Sequence, residues 1–162
     1  KNEKIIKAWE LNERHYGELT GLNKDDMKKK YGEDKIFKFR RSWDISPGPL
    51  SKDNPYHALN IDAYSDIPRD KIPDTESLKN TYDRVVKYYS ENIKNNLDKN
   101  ILVAAHGNSI RALCKHLFDL DNEAISKLEI PTGNPLLITL DNNKVKEAKY
   151  LDSSRARDLL KF

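Results

Sequence analysis

The sequence predicts an α/β fold, a three-layer sandwich in which helices flank a mostly parallel sheet. Three observations point there. Residues 101–105, ILVAA, form an unbroken apolar run, the pattern of a strand covered on both faces. Amphipathic stripes lie on either side of it. Leu78, Tyr82, Val85, Val86, Tyr89, Ile93 and Leu97 precede the run, and Ile110, Leu113, Cys114, Leu117 and Phe118 follow it, each set at helical intervals of three and four. Between run and second stripe stands His106-Gly107-Asn108, at the carboxyl end of a strand, where open α/β sheets bind ligands.

The elements follow in order. Residues 5–9, IIKAW, read as a short strand. Asn23 is placed to cap a helix starting at Lys24, with Asp25 and Asp26 in its first turn and Gly32 at its end. The stretch DKIFKFRRSW extends the helical region by a turn or two, through Arg40-Arg41. Residues 42–73 carry Pro47, Pro49, Pro55, Pro68 and Pro73 and form a long irregular excursion, a candidate lid or active-site loop. A helix is expected over 75–98, a strand over 101–105, and a helix after Gly107 with Ser109 as its cap. NEAISKL reads as a short helix and IPTGNP as a turn. LLITL and VKEAKY read as a hairpin around Asp141, Asn142 and Asn143, and SSRARDLLKF as a terminal helix.

No repeat or linker divides the chain, so residues 1–162 read as one domain. The strand count is short. A doubly covered strand at 101–105 needs neighbours on both edges, and only IIKAW and the hairpin offer them. The sheet is therefore expected to be incomplete at the N-terminus, an expectation that the opening Lys1 shares.

Composition narrows the function. The 162 residues are 37% hydrophobic, enough for a core, and 34% charged with a net charge of +3. Acids and bases alternate along the chain as on a solvated surface, so no nucleic-acid partner is expected. No stretch approaches the roughly 20 apolar residues of a membrane span, and Lys1 does not open a signal peptide. The single cysteine, Cys114, falls on the apolar side of its helix and reads as a buried thiol. A cytoplasmic protein is the expectation.

Two clusters carry chemistry. At 103–117, VAAHGNSIRALCKHL, a helix amino end with Gly107 suits an anion, because unpaired N–H groups converge there and glycine permits close approach. A capped helix behind a core histidine explains the same residues equally well. At 11–24, Glu13, Arg14, His15, Tyr16 and Lys24 follow a predicted strand, and a carboxylate beside a guanidinium can move a proton near an anionic substrate. The bland counterpart is a surface ion pair. Arg40 and Arg41 add two planar forks able to grip a carboxylate or phosphate, each charge-assisted bond contributing about 1.5–3 kcal/mol.

Taken together, LNERHYG at 11–17, GLNK at 21–24, RRSWD at 40–44, AAHGNSIRAL at 104–113 and IPTGNPL at 130–136 resemble the cofactor-dependent phosphoglycerate mutases of the histidine phosphatase superfamily. The resemblance follows the family's order over nearly the whole chain. It implies interconversion of 3-phosphoglycerate and 2-phosphoglycerate in glycolysis and gluconeogenesis. The chemistry would run through a phosphohistidine primed by 2,3-bisphosphoglycerate, without metal, in a homo-oligomer. It implies Glu13 as general acid/base and His106 as the second catalytic histidine. Arg14, Tyr16, Lys24, Arg40, Arg41, Gly107 and Asn108 would bind substrate or phosphate. His15 is expected to support the site, and His57 and His116 to have no catalytic part.

One departure is large. The family's phosphate-carrying histidine sits in an Arg-His-Gly motif, and no Arg-His-Gly occurs in this sequence. Neighbours cannot replace a covalent nucleophile. The chain is therefore expected to correspond to the family's C-terminal two-thirds, with that histidine upstream and little activity alone. The alternatives are a bisphosphoglycerate phosphatase or synthase of the same superfamily, and a catalytically silent anion-binding fragment.

Overall fold

The computed structural model describes residues 5–156, with the side chain of Lys24 outside the description. Five α-helices carry the architecture of these residues: α1 (Lys24–Tyr31), α2 (Glu33–Arg41), α3 (Leu78–Tyr88), α4 (Gly107–Leu117) and α5 (Asn122–Lys127). The sheet is a two-stranded antiparallel hairpin of β1 (Leu136–Asp141) and β2 (Lys144–Tyr150).

Local signals explain most boundaries. The Asn23 side chain accepts from the Asp25 N–H to cap α1, and Gly32, at φ +81°, ends α1 and opens α2. Ser77 and Asn80 form a reciprocal capping box that starts α3. The expected 75–98 helix is α3 continued by a π-turn (Tyr89–Ile93) and a 3-10 turn (Lys94–Asn96). Asp121 caps α5 through the Ala124 N–H. Asn142 and Asn143, at φ +50° and +62°, make the tight turn that joins β1 to β2.

The packing centre lies where α3 crosses α4. Leu78, Val85, Ala112, Cys114, Ile125 and Leu128 form one buried cluster. A smaller cluster of Leu19, Ile36 and Phe39 seats α2 beneath the 16–19 segment. Burial raises the Cys114 thiol to about 12, so it remains protonated and inert. No helix among the described residues is long and apolar enough to cross a membrane.

Helices with a small sheet fit the α/β class, but the parallel layer is not seen among the described residues. IIKAW is not a strand: Trp9 opens a 3-10 turn, Trp9–Leu11, and Ile5 and Ile6 are exposed. ILVAA is not a strand either, and Leu102 is 91% exposed. A strand exists only through hydrogen bonds to a neighbour, and these segments have no strand partner among the described residues. Ser109 is not the cap of α4. His106 holds that position, while the Ser109 hydroxyl donates to the Asn12 carbonyl at 2.6 Å. The expected C-terminal helix is a 3-10 turn over Ser153–Ala156, and its remainder, 157–162, lies outside the described residues.

Candidate functional site

A cavity of about 750 Å³ opens between the 12–22 segment, α2, the 42–73 excursion and the start of α4. Glu13, Arg14, Tyr16, Arg40 and His106 all line it. The local chain explains how. Residues 12–15 belong to no helix or strand, and two side chains of α3 and its approach supply much of the hydrogen bonding to their backbone. The guanidinium of Arg84 donates to the carbonyls of Glu10, Asn12 and Glu13. Glu76 exchanges a pair of bonds with the backbone of His15. These bonds fix the segment along the cavity, which each of residues 12–17 lines.

Glu13 is the best-supported group in the site. One carboxylate oxygen accepts from its own chain at Arg14 N (2.7 Å) and from Asn108 Nδ2 (2.8 Å). The other faces the Asn108 backbone N–H at 3.5 Å, the long limit of a bond. Asn108 Nδ2 also donates to the Tyr16 hydroxyl at 2.8 Å. The amino end of α4 and the 13–16 segment are therefore one hydrogen-bonded unit, joining residues 95 positions apart.

Arg14 is the electrostatic centre. Only 2% exposed, it donates through Nη2 to the Phe39 carbonyl at 2.8 Å and stacks over the Tyr16 ring at 4.6 Å. Its Nε and Nη1 have no hydrogen-bond partner. Buried donors left unpaired are costly, and Arg14 lines the cavity. His106 caps α4 with its side chain exposed toward the cavity, and Gly107 follows with nothing near its Cα to crowd an approaching group.

Other expected residues sit differently. Arg40 lines the cavity, but adjacent Arg41 does not and pairs with Glu129. Lys24 opens α1, its side chain undescribed. The 42–73 excursion supplies Leu50, Tyr56, His57, Ala58, Ile61 and Tyr64 to the cavity wall. It is anchored at both ends. Glu18 N–H donates to the Gly48 carbonyl, and Leu50 N–H to that of Asp74.

Sequence reading gave no part to His57, yet it lines the cavity at 2% exposure. Its Nδ1 accepts from the Leu59 N–H, which leaves Nε2 to donate to Asp74 at 3.1 Å and brace the excursion. Arg84, Glu76 and Arg111 were missed as well. Of these only Arg111 left a local signal, its place one helical turn after Asn108. His15 is lowered from its ordinary value, chiefly by burial, which disfavours a charged imidazole beside the site. His116 packs edge-on against Tyr82 and Tyr89, away from the cavity-lining residues. No group of three or more potential metal ligands occurs among the described residues.

Comparison with known proteins agrees with these motifs. Residues 54–152 match the family model of the histidine phosphatase superfamily (branch 1). A protein of Pelagibacter ubique (strain HTCC1062) named 2,3-bisphosphoglycerate-dependent phosphoglycerate mutase is 68% identical over 160 residues, covering 97% of this chain and 67% of its own. Proteins of the same name from Hyphomonas neptunium (strain ATCC 15444) and Maricaulis maris (strain MCS10) are 51% and 47% identical, each covering 96% of this chain and 65% of its own. The chain thus spans about two thirds of the length of these curated relatives. With well over half of its residues inside the family match, the chain belongs to the histidine phosphatase superfamily, in its branch 1.

Proposed function

We propose that this protein works as a 2,3-bisphosphoglycerate-dependent phosphoglycerate mutase, an isomerase that interconverts 3-phosphoglycerate and 2-phosphoglycerate through a phosphohistidine. The observation that carries the reading is the convergence on one cavity of Glu13, His106 and Arg14, whose Nε and Nη1 have no hydrogen-bond partner. The names of the relatives point the same way.

The chain's own residues divide the work. Glu13, fixed by two short hydrogen bonds, exchanges a proton with the substrate hydroxyl. Arg14 and Arg40 hold the anionic groups, and the Tyr16 hydroxyl orients them. His106, Gly107 and the Asn108 N–H present donors to the transferring phosphoryl group from the amino end of α4. Lys24 and Arg41 belong to the carboxylate end of the substrate; Arg41 reaches it by leaving Glu129. The 42–73 excursion serves as a lid that excludes water and favours transfer over hydrolysis. The orphaned N–H groups of Arg14 suit a doubly phosphorylated anion, and 2,3-bisphosphoglycerate, when bound, supplies the priming phosphoryl group. The nucleophilic histidine belongs to an Arg-His-Gly segment that is not among these residues. The same reading places the protein in the cytoplasm as a homo-oligomer, with exposed Ile5, Ile6 and Leu102 as apolar surface for association.

The test is conversion of 3-phosphoglycerate followed by phosphorus NMR. The protein is assayed with 2,3-bisphosphoglycerate, alone and with a separately made polypeptide bearing the Arg-His-Gly segment. Formation of 2-phosphoglycerate that vanishes in Glu13→Gln and His106→Ala supports the reading. Release of inorganic phosphate without isomerisation makes the protein a phosphatase. Ligand binding with no turnover under either condition makes it a silent anion-binding module.

A further inference from the structure

Arg111 lies one turn along α4 from Asn108 and is only 5% exposed. Its Nη1 donates to Asn108 Oδ1 at 2.9 Å, and its Nη2 to the Ile125 carbonyl of α5 at 2.5 Å. A carboxamide has one acceptor end and two donor hydrogens. With Oδ1 taken by Arg111, Nδ2 must face the other way, and its hydrogens go to Glu13 Oε1 and the Tyr16 oxygen, both at 2.8 Å. The Tyr16 oxygen therefore accepts, and its own proton is left to donate into the cavity that Tyr16 lines. A flipped amide would set Oδ1 against the Glu13 carboxylate and Nδ2 against a guanidinium. Only one orientation is compatible with all three partners.

A guanidinium is a costly way to fill this position. Burial lowers Arg111 to about 10, and the nearby charges of Arg41 and Arg14 push in the same direction. Its Nε has no hydrogen-bond partner. An apolar side chain of similar volume would pack between α4 and α5 without those penalties. The group nevertheless stays cationic near neutrality, hence a permanent donor to Asn108.

We propose that Arg111 is a positioning residue, which fixes the Asn108 carboxamide and through it the Glu13 carboxylate and the Tyr16 hydroxyl. Its catalytic consequence rests on the mutase reading above; its geometric role does not.

The experiment compares Arg111→Met, which keeps length without donors, with Arg111→Lys, which keeps the charge. The first readout is the Asn108 side-chain amide pair in nitrogen-resolved NMR, taken on variants whose circular dichroism matches the parent. Arg111→Met is expected to speed exchange of that pair with water about tenfold or more, with Arg111→Lys in between. The second readout is mutase turnover under the condition that supports it. Arg111→Met should lower kcat about tenfold or more, with KM within about twofold, and Arg111→Lys should recover part of the loss. In an Asn108→Ala background, Arg111→Met should cost no further kcat. Unchanged amide exchange overturns the proposal, as does an equal kcat loss in both backgrounds. If the parent shows no mutase turnover, the functional reading fails and amide exchange alone decides the role of Arg111. If Arg111→Met does not fold, the same exchange measurement on Arg111→Lys decides it: faster exchange than the parent supports the role, and parental exchange overturns it.

Discussion

Arg84 grips Glu76 with both ends of its guanidinium, Nε and Nη2 donating to the two carboxylate oxygens at 2.8 and 2.9 Å. The pair is largely buried, at 12% and 4% side-chain exposure, and it organises the site from behind. Arg84 supplies hydrogen bonds to the carbonyls at 10, 12 and 13, and Glu76 to the backbone at 15. Arg84→Met should therefore do two things at once. It leaves a buried carboxylate unpaired, a loss of about 3–5 kcal/mol, and it frees the segment that carries Glu13. Urea unfolding should show a lowered midpoint, and Arg84→Lys should recover only a part because an ammonium cannot serve five acceptors in one plane. A loss below about 1 kcal/mol would mean the pair is exposed in solution.

Acid should weaken the fold in two stages. His15 is lowered from 6.5 mainly by burial and also by Arg84 and His57, against the opposing pull of Glu76. His116 is lowered from 6.5 by burial and by Lys94. Each binds a proton less readily when folded, so below 6.5 the unfolded chain takes up more protons and stability falls until the folded imidazoles titrate. Glu76 behaves as a held carboxylate. Burial pushes it up, but the bonds and charge of Arg84 and the His15 N–H outweigh that and bring it below 4.5. Its contribution is complete above 4.5 and disappears as pH falls through the folded value. Melting temperatures across this range should show a first decline beginning near pH 6.5 and a second beginning near 4.5. His116→Phe should shrink the first, leaving the His15 part, and Glu76→Gln should flatten the second. A level profile from pH 7 to about 5 would contradict both histidine shifts.

Two glycines separate stability from function. Gly17 has φ +54°, and a Cβ there would collide with the Gly48 carbonyl and lie 2.6 Å from the Thr75 hydroxyl. Backbone strain alone costs about 1–3 kcal/mol, so Gly17→Ala should destabilise by at least that and displace the start of the 42–73 excursion. Gly107 is the opposite case. No atom lies within 4 Å of an added Cβ, and the residue opens α4, where alanine is the better helix former by about 1 kcal/mol. Gly107→Ala should keep or raise the melting temperature, yet weaken calorimetric binding of 3-phosphoglycerate on the proposed reading, in which Gly107 serves the phosphate site. Unaltered affinity would remove Gly107 from the phosphate site.

These contrasts show which features were legible in the sequence. The Asn23 cap and the Asn142-Asn143 turn are decided within a few residues, so residue type and spacing reveal them. The strand expected at 101–105 is not such a feature. Its apolar residues are necessary for a buried strand, but only a neighbouring strand makes it one, and Leu102 instead faces solvent. Ser109 illustrates the same limit, since its hydroxyl bonds a carbonyl 97 positions away rather than its own helix. In the site, motif resemblance picked out Glu13, Arg14, Tyr16 and His106, which do share a cavity. It could not separate Arg40 from Arg41, nor find Arg84, because those roles depend on what each guanidinium meets after folding.

That last distinction is measurable. Arg40 lines the cavity, whereas Arg41 is engaged by Glu129 and must exchange that partner to reach a ligand. A charge-assisted bond contributes about 1.5–3 kcal/mol, so Arg40→Ala should raise KM about tenfold or more with kcat little changed. Arg41→Ala should raise it less, because breaking the Glu129 pair offsets part of what the ligand bond gains. Glu129→Gln should then lower KM by freeing Arg41. Glu13→Gln belongs to a different category: the amide keeps the shape and can still accept from Asn108, but cannot take a proton. Its kcat should fall about 10²–10⁴-fold at nearly constant KM. Steady-state kinetics on the four variants settles the assignment. Should Arg41→Ala prove the more damaging for KM, Arg41 rather than Arg40 is the main anion contact and loss of the Glu129 pair offsets little of its bond to the ligand.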